Sequence, residues 1–212
     1  MEKGVGSISS RGRRNRSVPF FVAVSLAIAG AALASDYDKV NGSVQVPAGQ
    51  KVGAVSTVNG SITIGDGAAV TTASTVNGHI ALGASATATS VKTVNGRITL
   101  GKGADVAGRA ANVNGDIRLD AAHVAGGIGT VTGDIDIGAG SRVEGGITVE
   151  KGSTGWFSIE FGSQRVVIGP GAVVQGTLKF EREVKLYVSD RATIGPVEGA
   201  TPIKFSGDRP PG

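Results

Sequence analysis

At 212 residues, with 35 glycines, 4% aromatic residues and one Trp, the chain is long enough for one ordinary domain but poor in the large rings a globular core uses. Its glycines lack the strict triplet of collagen, and a 40% apolar fraction is too high for a disordered chain. Of its 21 Lys and Arg and 17 Asp and Glu, five and one fall in residues 1–34, which leaves 16 against 16 and no basic patch for nucleic acid.

Residues 1–34 read as a secretory signal peptide. Arg11, Arg13, Arg14 and Arg16 form a basic start, Phe20 to Ala34 an apolar run, and Ala32-Leu33-Ala34 a small-residue cleavage pattern. The run of about 15 residues is short of the about 20 that a spanning helix needs, so no transmembrane segment is expected in the mature chain. The expected destination is the periplasm, the cell surface or the exterior. The chain has no Cys, which rules out both disulfides and a lipoprotein anchor.

From residue 35 to 149 the sequence repeats. Val-Asn-Gly stands at 40–42, 58–60, 76–78, 94–96 and 113–115, and as Val-Thr-Gly at 131–133, in steps of 18 with one of 19. Apolar residues also recur every six, as in Val52, Val58, Ile64, Val70, Val76 and Leu82. Eighteen residues at about 3.3 Å each make a circuit that closes as a triangle with six-residue sides. The prediction is an all-β, single-stranded, three-sided parallel β-helix (β-solenoid) of about six to eight coils.

Its expected core columns are Val58, Val76, Val94 and Val113; Ile62, Ile80, Ile98, Ile117 and Ile135; and Ile64, Leu82, Leu100, Leu119 and Ile137. Val94→Asp is accordingly expected to unfold the rod. The expected corners are Asn41-Gly42, Asn59-Gly60, Asn77-Gly78, Asn95-Gly96, Asn114-Gly115 and Gly133, with glycine there to tolerate positive φ. A two-residue hairpin at each Asn-Gly is the alternative. It would pair Val58 with Ser61 and Val94 with Arg97 on one face and turn Ile62 and its equivalents outward.

Residues 150–198 are expected to be irregular, capping coils of the same solenoid. Trp156, Phe157, Ile159 and Phe161 interrupt the six-step, which returns from Val166 to Leu178. Residues 199–212 read as a C-terminal tail.

The run Val-Ile-Gly-Pro-Gly-Ala-Val-Val-Gln-Gly-Thr-Leu at 167–178 resembles the bactofilins, as does Ile-Gly-Ala-Gly-Ser-Arg-Val-Glu-Gly-Gly-Ile at 137–147. Thr-Val-Asn-Gly-(polar)-Ile at 57–62, 75–80 and 93–98 is similar to adhesin-type repeat domains of bacterial envelope proteins. The first resemblance implies a polymer-forming, three-sided β-helix that assembles end to end without nucleotide. The second implies a surface or periplasmic binding module.

Residues that carry chemistry are few. With two histidines and no Cys, no metal site or cofactor is expected. His79 falls in a solvated corner column with Ser43, Ser61, Arg97, Asp116 and Asp134. His123 is the one position comparable with the catalytic His of hexapeptide-repeat acyltransferases, a third reading. Asp116 and Asp134 stack one coil apart and Asp136 on Arg118, as a ladder of surface ion pairs. Thr57, Thr75, Thr93 and Thr130 are expected to point outward.

No catalytic residue is therefore expected. The expected role is a non-enzymatic, exported structural protein of the bacterial cell envelope. Its expected partners are copies of itself, end to end or side by side, or an envelope glycan or protein.

Overall fold

The computed structural model describes residues 35–152 and 163–211. The expected signal peptide and the aromatic segment containing Trp156, Phe157, Ile159 and Phe161 lie outside the described residues.

Every strand pairs in parallel with its equivalent one coil away, and no helix occurs among the described residues. The fold is a parallel β-solenoid. One sheet takes one strand from each coil: Val44–Val46, Ile62–Ile64, Ile80–Leu82, Ile98–Leu100, Ile117–Leu119, Ile135–Ile137, Gln164–Ile168, Val184–Ser189 and Pro202–Phe205. That gives nine coils where the sequence reading expects six to eight. Residues 164–205 continue the ladders of the regular coils. Pro202–Phe205, which the reading places in the tail, adds the ninth strand.

The rest of each coil joins a second, fourteen-stranded sheet. In the early coils this part is one nine-residue strand: Lys51–Asn59, Ala69–Asn77 and Thr87–Asn95. Within the step of 19 it divides into short pieces such as Asp105–Val106 and Ala110–Ala111, both paired with the last long strand.

Each coil in the interior of the stack sends three pairs of side chains inward. In one coil these are Ile62 and Ile64, Ala68 and Val70, and Ala73 and Thr75; in the next, Ile80 and Leu82, Ala86 and Ala88, and Val91 and Thr93. Like stacks on like, and each fully buried Ile, Leu or Val contributes about 1.5–3 kcal/mol. The predicted columns through Ile62 and Ile64 are buried along the rod.

The third predicted column is not. Val58, Val76, Val94 and Val113 are 40%, 39%, 38% and 39% exposed, and the neighbouring Thr57, Thr75, Thr93 and Thr130 are buried. The inward positions do not keep a uniform six-step, because the third pair of a coil begins only three residues after the second ends (Val70 to Ala73). A shift of one residue turns a strand over, so valine faces out and threonine in.

The threonines fill this inner column because they close a polar account. The hydroxyls of Thr57, Thr75 and Thr93 donate to the carbonyl oxygens of Gly42, Gly60 and Gly78 at 3.1, 2.9 and 3.1 Å. Threonine has the branched shape of valine and supplies the donor a buried carbonyl requires. In a later coil Asn112 takes the place and its amide reaches the Gly96 carbonyl at 3.3 Å.

The positive φ expected at the Asn-Gly and Thr-Gly corners occurs at Gly42 (φ 105), Gly115 (φ 119) and Gly133 (φ 111), but the three Asn-Gly glycines between Gly42 and Gly115 are required for another reason. Gly60, Gly78 and Gly96 do not have positive φ; a Cβ there would overlap the carbonyl oxygen of the preceding coil's glycine. Close stacking demands glycine here. The second corner also uses the left-handed conformation, at Gly67 (φ 63) and Gly103 (φ 69), and Ser85 (φ 53) adopts it in the coil between.

Both ends of the stack place a lysine where the core columns would continue. Lys39 is in register with buried Thr57, and Lys204 with buried Val188, yet both are exposed. A charge at an inward position is a device that discourages edge-to-edge pairing.

Candidate functional site

Stacking turns each repeated outward residue into a ladder. The corner column predicted from the sequence is present and is bonded rung to rung. The Ser43 and Ser61 hydroxyls accept the backbone N–H groups of Ser61 and His79 at 3.3 Å. His79 Nδ1 accepts the Arg97 N–H at 2.9 Å, and Asp134 Oδ1 accepts that of Arg165 at 2.9 Å. His79 is thus one acceptor among several, held by the backbone it satisfies. Arg97 pairs with Asp116 at 3.0 Å and Arg118 approaches the same carboxylate at 3.6 Å. Asp136 stacks on Arg118 in strand register. Partial desolvation raises its pKa from the ordinary value, against the opposing pull of Arg118, Arg165 and Arg209.

His123 lies in a second outward column, between Asp105 and Arg142 in register. Its Nδ1 bonds Asp105 Oδ1, and its Nε2 lies 3.4 Å from Glu144 Oε1. Glu144 also accepts from Arg142 Nε at 3.0 Å. That bond, with a smaller contribution from His123, holds the Glu144 carboxyl below its usual range. A catalytic base must face its substrate's proton with a free nitrogen. Here Nδ1 is bonded to Asp105, whereas Nε2 is buried and makes no hydrogen bond among the described residues. Among the described residues no group of three or more His, Asp and Glu side chains is arranged to hold a metal ion.

Two ladders escape the sequence reading. The corner asparagines form an amide ladder, in which the Nδ2 atoms of Asn59, Asn77, Asn95 and Asn114 donate to the Oδ1 atoms of Asn41, Asn59, Asn77 and Asn95 at 3.0, 3.0, 2.9 and 2.9 Å. Beside it runs the ridge of exposed valines. Val76, Val94 and Val113 line an open groove of about 390 Å³ together with Ser74, Lys92 and Ala111. The 18-residue spacing of both residue types is visible in the sequence, but only parallel stacking brings them into contact.

No helix among the described residues is long and apolar enough to cross a membrane. Comparison of the chain with protein-family models, with curated proteins and with solved structures gives no match.

Proposed function

We propose that this chain is a non-enzymatic structural β-solenoid of the bacterial cell envelope, exported by residues 1–34, which associates with copies of itself. The carrying observation is the valine ridge. Val58, Val76, Val94 and Val113 present an apolar stripe that repeats at the strand spacing. A ridge with that period matches a second ridge at every one-coil offset, which favours side-by-side association. Three inward pairs per coil support a three-sided section, in keeping with the bactofilin resemblance.

A second reading, an adhesin-type binding module, is favoured by Lys39 and Lys204. Charges at both ends of the core weigh against end-to-end polymerisation and suit a rod that remains single. Light scattering and electron microscopy of the purified chain separate the two. Concentration-dependent assemblies, lost when Val58, Val76, Val94 and Val113 are all replaced by Ser, are expected. Strict monomers at every concentration would exchange the first reading for the second.

A further inference from the structure

The outward face of the nine-stranded sheet carries a cleft of about 750 Å³, roofed at one side by residues 208–210 near the C-terminus. Its floor is a single register column: Thr99, Arg118, Asp136 and Val167 lie side by side on four successive coils. Asp208 in the roofing segment pairs with Arg191 at 3.1 Å, which ties that segment to the rod.

Two groups in the cleft lack a hydrogen-bond partner among the described residues. Arg165 donates its backbone N–H to Asp134, and its guanidinium lies 5.0 Å from the centre of the Tyr187 ring, but its Nε is buried with no hydrogen-bond acceptor among the described residues. Asp136 is exposed to the cleft and makes no hydrogen bond or ion pair among the described residues. A buried polar group without a partner costs about 1–3 kcal/mol, a penalty that an acceptor oxygen of a ligand in the cleft would relieve at Arg165 Nε.

The lining defines the chemistry of that occupant. Arg118, Arg165 and Arg209 face Asp120, Asp134, Asp136 and Asp208, so the walls have little net charge. An anion would meet four carboxylates and a cation three guanidinium groups. A hydroxyl does both things the walls require, since it donates to a carboxylate and accepts from a guanidinium. Val167, Pro170 and Pro210 add apolar surface suited to the C–H face of a sugar ring. The volume is within the usual range of ligand pockets, about 300–1,000 Å³. We propose that this cleft binds a neutral oligosaccharide, with Asp136 accepting from sugar hydroxyls and Arg165 and Arg209 donating to them. The proposal is independent of self-association through the valine ridge, which lies on the other sheet.

Isothermal titration of the full chain with chitotetraose, cellotetraose and maltotetraose tests it, with tetragalacturonate as the anionic control. Binding of at least one neutral probe is expected, weakened at least about tenfold by Asp136→Asn and by Arg209→Ala. Arg209→Ala lies outside the coils, so it decides the matter should the first variant fail to fold. Failure of all three neutral probes at millimolar concentration overturns the proposal. So does tighter binding of tetragalacturonate, or undiminished binding by a folded variant.

Discussion

The Thr93 hydroxyl donates to the Gly78 carbonyl oxygen at 3.1 Å, across the corner that joins one coil to the next. The glycine is there because nothing larger stacks, and the threonine because the glycine's carbonyl would otherwise be buried without a donor. Thr93→Val keeps the shape and removes the donor. It should cost about 1–3 kcal/mol in urea unfolding, the usual penalty for an orphaned buried acceptor. A stability equal to the parent's would mean the bond contributes nothing.

Neighbouring valines in the same strand should respond in opposite ways to a charge. Val91 is fully buried and Val94 is 38% exposed. Val91→Asp buries an unpaired carboxylate and should cost more than about 4 kcal/mol or abolish the cooperative melt. Val94→Asp should change stability by no more than about 0.5 kcal/mol. Equal damage from the two would contradict the assigned facing.

Gly78→Ala tests the stacking distance. Its Cβ would overlap the Gly60 carbonyl, which is backbone and cannot swing aside. A loss of about 3 kcal/mol or more is expected in thermal unfolding. A neutral effect would mean that the coils can part locally at little cost.

Two carboxylates should give pH responses of opposite sign. Partial desolvation raises the Asp136 pKa in the folded chain, so its ionised form burdens the native state at neutral pH. That burden fades as pH falls through the raised folded value and is gone below the ordinary carboxylate range. Asp136→Asn should therefore raise the melting temperature at pH 7 by a small amount, since solvent screens the exposed carboxylate, with the difference closing in acid. The Glu144 pKa is lowered, chiefly by Arg142, so its stabilisation is present above the ordinary range and lost as pH falls through the lowered value. Glu144→Gln should lower the melting temperature at pH 7 by a small, salt-sensitive amount that also vanishes in acid. Melting curves of both variants against pH, in low and high salt, check the signs.

The coil length, the parallel stacking and the columns through Ile62 and Ile64 were legible because the 18-residue step imposes them at every repeat. The facing of the third run was not. Val58 is the more hydrophobic of two adjacent β-branched residues, and hydrophobicity alone places it inside. The competing signal was a second 18-residue column, Val55, Ala73 and Val91, which puts Thr57 rather than Val58 on the inner face. The corner ladder from Ser43 to Asp134 could be read as a column, but not its bonds to the next coil's backbone. The cleft could not be read at all, since it depends on where residues 208–210 come to lie, far in sequence from Arg118 and Asp136.

The asparagine and glycine ladders ask only that each coil find the same two residues above and below it. From Asn41 to Asn95 every rung makes the same bonds to its neighbours. A segment such as 61–78 can accordingly be duplicated or excised in frame with its junctions unaltered. Over this stretch the molecule can grow or shrink by whole turns through simple recombination, without compensating mutation, and its reach is a heritable quantity that changes in even increments.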